Sequence, residues 1–168
     1  MPTTFGYTSI GASSEWGFAA DHVLGGMFTL TEAGDITKIS GYIEPRNNGM
    51  YGKAAIYSVV GGAPSALLAQ SNPVALQNNT TWAWVDFPLT YSAIAGDYAL
   101  IIFVDEGFAI RYDAGANGIF DLVTYPNFNN PFGAYTTLTG QKQSVYATYT
   151  PVGAAGLDVT SKMYLVFP

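Results

Sequence analysis

The stretch Gly52–Glu106, GKAAIYSVVGGAPSALLAQSNPVALQNNTTWAWVDFPLTYSAIAGDYALIIFVDE, decides the fold. Its centre, Tyr98–Val104 (YALIIFV), is apolar on both faces of a strand. Such a strand cannot face water on one side, so it needs a neighbour on each flank and a second layer. The residues before it read as those neighbours. Lys53–Ser58 alternates Ala54 and Ile56 with Ala55 and Tyr57, Gly61-Gly62-Ala63-Pro64 reads as a turn, and Leu67–Ser71 is another short run. In Trp82–Leu89 the side chains of Val85, Phe87 and Leu89 share one face, and those of Trp82, Trp84 and Asp86 share the other. Ala95-Gly96-Asp97 then turns the chain into the central strand.

Outward from this block the same grammar continues. Val23–Thr31 and Ile36–Ile43 read as strands separated by the turn Glu32–Asp35, and Pro45–Gly49 is a turn of the kind that Asn-Gly favours. Phe108–Tyr112 is a short strand carrying Arg111, and Ser144–Thr150 and Lys162–Phe167 close the chain. Residues 1–22, rich in Gly, Ser and Thr with Phe5, Tyr7, Trp16 and Phe18 among them, read as an extended arm or an irregular first strand. Residues 113–142 read as a long loop region, and insertions of that length usually bind or pack against something. No segment has a helical period, and turn signals recur about every ten residues, as in all-β sandwiches. The expectation is an all-β protein, a two-sheet antiparallel β-sandwich with jelly-roll connections, formed as a single domain by residues 23–168.

Composition sets further bounds. A chain of 168 residues is long enough to bury a real core. With 49% hydrophobic and only 11% charged residues it is unlike a disordered chain, and its surface is left to Ser, Thr, Asn, Gln, Tyr and Gly. That composition suits adhesive or packed surfaces. The net charge is −6 and the six basic residues are scattered, so no footprint for a nucleic-acid backbone is present. Without cysteine, disulfides, thiolate metal sites and a cysteine nucleophile are excluded. The N-terminus lacks the basic start and apolar run of a secretory signal, and no stretch approaches the roughly 18–20 apolar residues of a membrane-spanning helix. If Met1 is the native start, the protein is expected to be made in a cytoplasm.

A family pattern joins these elements. GGMFTLTEAGDITKISGYI (25–43), GKAAIYSVVGGAPSALLAQS (52–71), WAWVDFPLTYSAIAGDYALIIFVDE (82–106) and IRYDAG (110–115) carry it. Together they resemble a widespread jelly-roll β-sandwich domain found in phage virion proteins and in microbial surface proteins. The likeness spans about residues 25–115 and lies in turn and core positions, so it speaks for the fold and for no particular activity. It implies that Tyr57 and Tyr98 are core aromatics.

Candidate chemistry is sparse. His22, the one histidine, follows Asp21 and lies near Ser13, Ser14 and Glu15, but a directly adjacent Asp is poorly placed to orient it as a triad base, and no nucleophile elbow is present. A glycosidase pair would have to come from Asp86, Asp97, Asp105, Glu106 and Asp113, most of them beside turns. In Asp113–Asp121 a calcium-loop pattern is partial. Asp113, Asn117 and Asp121 stand at ligand positions, but Gly115 replaces an acid and Thr124 stands where a bidentate Glu belongs; a turn held by Asx bonds is the simpler reading. No catalytic residue and no cofactor are expected. Asn78-Asn79-Thr80-Thr81 contains glycosylation sequons and reads as an Asn-rich turn.

What remains is surface. Trp82 and Trp84 could form an aromatic platform extended by Trp16, Tyr91 and Tyr112, on which a sugar would stack. The competing expectation is that this face packs beneath the 113–142 loop or against another subunit. The sequence points to a non-enzymatic structural protein working through subunit packing, as a homo-oligomer or capsid lattice. It would be a virion component, namely a phage capsid decoration, head-fibre or tail-associated subunit assembled in the host cytoplasm. The alternative is an extracellular carbohydrate-binding or adhesion module. Neither nucleic acid nor membrane is an expected partner.

Overall fold

A computed structural model describes residues 1–15, 20–76 and 81–153. The strand expected at Lys162–Phe167 lies outside the described residues, as do Trp16, Phe18 and Asn78–Thr80 of the sequon.

The central strand is Gly96–Val104 (β9), and its two flanks are occupied as its apolar pattern demands. The strands in chain order are Thr3–Gly6 (β1), Ser13–Glu15 (β2), His22–Leu30 (β3), Gly34–Pro45 (β4), Tyr51–Val60 (β5), Ala63–Gln70 (β6), Val74–Ala75 (β7) and Ala83–Ala93 (β8) before it. After it come Phe108–Ala114 (β10), Gly118–Leu122 (β11), Thr136–Leu138 (β12), Gln141–Gln143 (β13) and Val145–Pro151 (β14). One seven-stranded sheet, sheet B, runs β12-β11-β3-β9-β5-β6, with β7 also on β5. The other, sheet A, runs β1-β14-β4-β10-β13, with β8 on β4 and β2 on β10. All recorded pairings are antiparallel, and the protein is a two-sheet antiparallel β-sandwich.

A two-stranded ribbon wraps both sheets. The chain passes from sheet B to sheet A between β3 and β4, and back between β8 and β9. β3 pairs with β9 from His22↔Val104 to Leu30↔Gly96, and β4 pairs with β8 from Gly34↔Ala93 to Ile43↔Ala83. This wrapped ribbon is the connection expected of a jelly roll, whereas β5 and β6 form a simple hairpin within sheet B. That hairpin turns at Gly61 (φ +61°) and Gly62 (φ +79°), the left-handed pair that a two-residue turn requires. Ala63 and Pro64, which the sequence places in the turn, already belong to β6.

β9 separates two apolar layers. Leu100, Ile102 and Val104 face sheet A in the main core, with Ile36, Ile39, Ile43, Phe87 and Phe108. Ala99, Ile101 and Phe103 face the other way into a second core, closed by Val123, Phe128 and Phe132. Each fully buried Leu, Ile or Phe contributes roughly 1.5–3 kcal/mol. Tyr57 and Tyr98 are both buried, Tyr57 in the second core and Tyr98 in the main one.

One expectation is revised and another is narrowed to one of its two forms. Residues 113–142 are not loop throughout, because β11, β12 and β13 lie within them. The long excursion is 123–135, a strap across the outer face of sheet B, and its apolar residues seal that face. The N-terminal segment, read as an arm or irregular first strand, contributes β1 along β14 and β2 along β10, with Phe5 buried edge-on against Tyr98 and Tyr149.

Candidate functional site

Period-two alternation along β4, β8, β10 and β14 sorts their residues between the core and the outer face of sheet A. Ile39, Ile43, Phe87, Ile110, Val145 and Ala147 point inward. Ser40, Tyr42, Glu44, Trp84, Asp86, Arg111 and Tyr146 alternate with them and lie on the outer face.

There the aromatic side chains form a continuous stripe. Trp84 meets Tyr146 edge-on at 4.9 Å between centroids and Tyr42 edge-on at 5.3 Å. Tyr42 in turn stacks on Trp82 at 5.9 Å with ring planes 14° apart. The Arg111 guanidinium lies 4.5 Å over the Trp82 ring, a cation–π contact. The rings of Tyr42, Trp82, Trp84 and Tyr146 are half-buried. Beyond one end of the stripe Asp86 accepts from Lys38 Nζ at 2.5 Å and from Ser40 Oγ at 2.6 Å. Desolvation pushes the Asp86 carboxyl upward, but these two hydrogen bonds and the Lys38 charge outweigh it and hold the group below its ordinary value.

Of the residues expected to extend the platform, Trp82 and Trp84 do share this face. Tyr112 alternates with Arg111 on β10 and falls on the side that carries Ile110 and Phe108. Tyr91 packs against the main core, edge-on to Tyr98 at 6.3 Å. Trp16 lies outside the described residues. The platform is also not flat: Trp84 is wedged between two edge-on tyrosines, and Arg111 occupies a face of Trp82. Nor does the 113–142 region cover it, since the strap lies on sheet B. Tyr42, Tyr146 and Arg111 complete the stripe. Their signal in the sequence was alternation with Ile43, with Val145 and Ala147, and with Ile110.

The other candidate residues are dispersed. His22, on β3 in sheet B, places Nδ1 2.9 Å from the Ala20 carbonyl and stacks on Phe120 at 5.1 Å, while Ser13, Ser14 and Glu15 form β2 in sheet A. Asp97 accepts from Thr29 Oγ1 at 2.6 Å, Asp105 from the Tyr51 amide at 2.9 Å, and Glu106 from the Asn47 side chain. Asp113 accepts from the Ala12 amide at 2.8 Å and from the Tyr7 hydroxyl, and the two bonds hold its carboxyl below the ordinary value. Asn117 accepts from the Gly140 amide at 2.8 Å and Asp121 from the Leu122 amide at 2.8 Å. Asp113 is in sheet A and Asp121 in sheet B. Among the described residues no group of three or more His, Cys, Asp or Glu is placed to hold a metal ion.

No protein-family model matches the chain, and no curated protein matches it. Three solved structures of infectious bursal disease virus align loosely with the chain. The VP2 subviral particle gives a TM-score of 0.39 at 10% identity, covering 90% of this chain and 42% of that one. The Gt strain gives 0.37 at 12% identity, covering 92% and 43%, and the Gx strain 0.33 at 12%, covering 89% and 39%. This chain thus spans about two fifths of the length of the viral chains.

Proposed function

We propose that this chain is a non-enzymatic structural subunit that works by packing the outer face of sheet A against other protein subunits in a particle. A virion component such as a capsid decoration, head-fibre or tail-associated protein is the reading the family resemblance of residues 25–115 favours. The observation that carries the proposal is the asymmetry of the two sheets. Sheet B's outer face is sealed by the chain's own strap, whereas sheet A's outer face presents half-buried Trp82, Trp84, Tyr42 and Tyr146 with Arg111. Trp, Tyr and Arg are the residues in which interface hot spots are enriched. A centrally placed Trp of this kind, cut to Ala, weakens association by about 2 kcal/mol or more, roughly 30-fold.

The test is light scattering over a wide concentration range together with co-sedimentation on candidate particles, for wild type and Trp84→Ala. Association of the wild type that weakens in the variant, with unchanged far-ultraviolet circular dichroism, is the expected result. A wild type that stays monomeric and binds no particle contradicts it. Retention on a glycan array that Trp84→Ala abolishes, with no change in association, would make the chain a carbohydrate-binding or adhesion module instead.

A further inference from the structure

The strap seals the outer face of sheet B as far as the row of Ala99 and leaves the margin beyond it open. Phe128 meets Phe103 at 5.4 Å, and Phe132 meets Tyr57, which stands opposite Ala99, at 4.9 Å. The next row on the same face holds Thr29, Asp97 and Val59. Thr29 pairs directly with Asp97, and each lies two residues from the pair Met27 and Ala99. Val59 lies two residues beyond Tyr57. Thr29 and Asp97 are exposed and Val59 is half-buried. A groove of about 240 Å³ opens here, lined by Met27, Phe28, Thr29, Val59, Gly62 and Asp97.

The lining has two characters. Met27, Phe28 and Val59 are apolar and half-buried. Gly62 adds bare backbone at the hairpin turn, where a Cβ would meet nothing within 4 Å, and the exposed Val60 flanks that turn. The charge in the lining is the Asp97 carboxylate. Its Oδ1 accepts from Thr29 Oγ1 at 2.6 Å, and an ionised carboxylate has acceptor sites to spare. Among the described residues the ion pair within 4 Å joins Lys38 to Asp86, so no basic side chain of these residues neutralises Asp97. Apolar walls beside a carboxylate in need of a cation fit a ligand with an aliphatic stem and a cationic head. Lysine and arginine have that form, since their methylenes lie along apolar surface while the head stays at a polar site. The flexible Met27 thioether adapts to either stem. An acidic side chain would oppose Asp97, and a wholly apolar one would desolvate it without a partner. We propose that this groove takes a lysine or arginine side chain projecting from a partner protein, its methylenes against Met27 and Val59 and its cation on Asp97. The chain's net charge of −6 favours a basic partner surface in the same sense. This contact stands apart from the one proposed for sheet A, and the two together let one subunit engage neighbours through opposite faces.

Nuclear magnetic resonance titration of the full chain tests it, following the Met27 and Val59 methyls and the Thr29 and Asp97 amides. The probes are n-butylammonium, n-butylguanidinium, the uncharged n-butanol and a capped Gly-Lys-Gly tripeptide. Saturable shifts confined to the groove are expected with both cations and with the tripeptide, and not with butanol. Asp97→Asn keeps an oxygen for the Thr29 hydroxyl, so the fold is expected to hold by circular dichroism while butylammonium binds about fivefold more weakly. No saturable shift with any probe overturns the proposal, as does butanol binding as well as butylammonium. Equal shifts beside Asp35 and Asp105 would mean unspecific counterion binding and overturn it too. Cations that bind where the tripeptide does not would rule out a protein side chain as the occupant. A folded Trp84→Ala is expected to keep the groove shifts whatever it does to association, so the two contacts fail separately; groove shifts lost in that variant would contradict their independence.

Discussion

Tyr57 donates its phenolic hydrogen to the carbonyl of Asn129 at 2.8 Å, tying the outer face of sheet B to a strap 72 residues further along the chain. Burial, reinforced by the Asp121 charge, pushes the Tyr57 hydroxyl well above its ordinary value. A group whose folded value is raised contributes stability that is present below its unfolded value and lost as pH rises above it. Stability is therefore expected to fall above about pH 10, by about 1.4 kcal/mol per pH unit for a full proton. Tyr57→Phe is expected to cost about 0.5–1.5 kcal/mol at pH 8 and to flatten that alkaline decline. Urea unfolding between pH 8 and 11 checks both, and an equal slope in wild type and variant contradicts the assignment.

The strap is held by packing as well. Phe132, 1% exposed, meets Tyr57 edge-on at 4.9 Å, and its amide donates to the Ser65 carbonyl at 2.8 Å. Phe132→Ala removes a fully buried ring, at an expected cost of about 3–5 kcal/mol. Hydrogen exchange should rise across 123–135 before it rises in β9. Uniform acceleration across both would mean that the strap and sheet B open as one unit.

Two glycines predict a contrast. A methyl at Gly25 would lie 1.9 Å from the Leu100 carbonyl oxygen, and a methyl at Gly41 2.0 Å from the Ile102 Cδ1. The first clash is with backbone in a paired strand, the second with the end of a rotatable side chain. Gly25→Ala is expected to destabilise by more than about 3 kcal/mol, and Gly41→Ala to stay within the usual 1–3 kcal/mol of overpacking. Thermal unfolding of the two variants gives the comparison, and the reverse order contradicts the packing described.

How much of this was legible follows from what each signal depends on. The double-sided apolar run at Tyr98–Val104 can be satisfied only by a central strand, and the alternation around Val85 and Phe87 separates core from surface by period alone. β12 and β13 are short and polar, β11 is only five residues long, and their pairing depends on partners distant in the chain, so the segment read as loop. The stripe was half visible. Trp82 and Trp84 stand two apart in the chain, at and just before the start of β8, whereas Tyr42, Tyr146 and Arg111 come from three other strands and meet them only through strand order. The outward carboxyl of Glu44 carries no local signal, because its burial arises from neighbours across strands.

The Lys38–Asp86 bridge makes an acid-side prediction. The carboxyl of Asp86 lies below its ordinary value in the folded chain, so its contribution is present above about pH 4 and is lost as pH falls through the lower folded value. Both side chains are over a third exposed or close to it, at 34% and 49%, so screening limits the contribution to no more than about 1 kcal/mol. Lys38→Met is expected to reduce the drop in stability between pH 5 and 3 only slightly, and to do so less in 1 M salt. A large, salt-independent change in acid unfolding would contradict this account.

Hydroxyl-radical footprinting of assembled and dissociated protein tests most directly that the outer face of sheet A makes the contact. Trp84, Tyr42 and Tyr146 are expected to lose reactivity on assembly, while Tyr125 and Tyr135 of the strap keep theirs. Equal reactivity of Trp84 and Tyr146 in both states, or protection confined to the strap, would contradict the account.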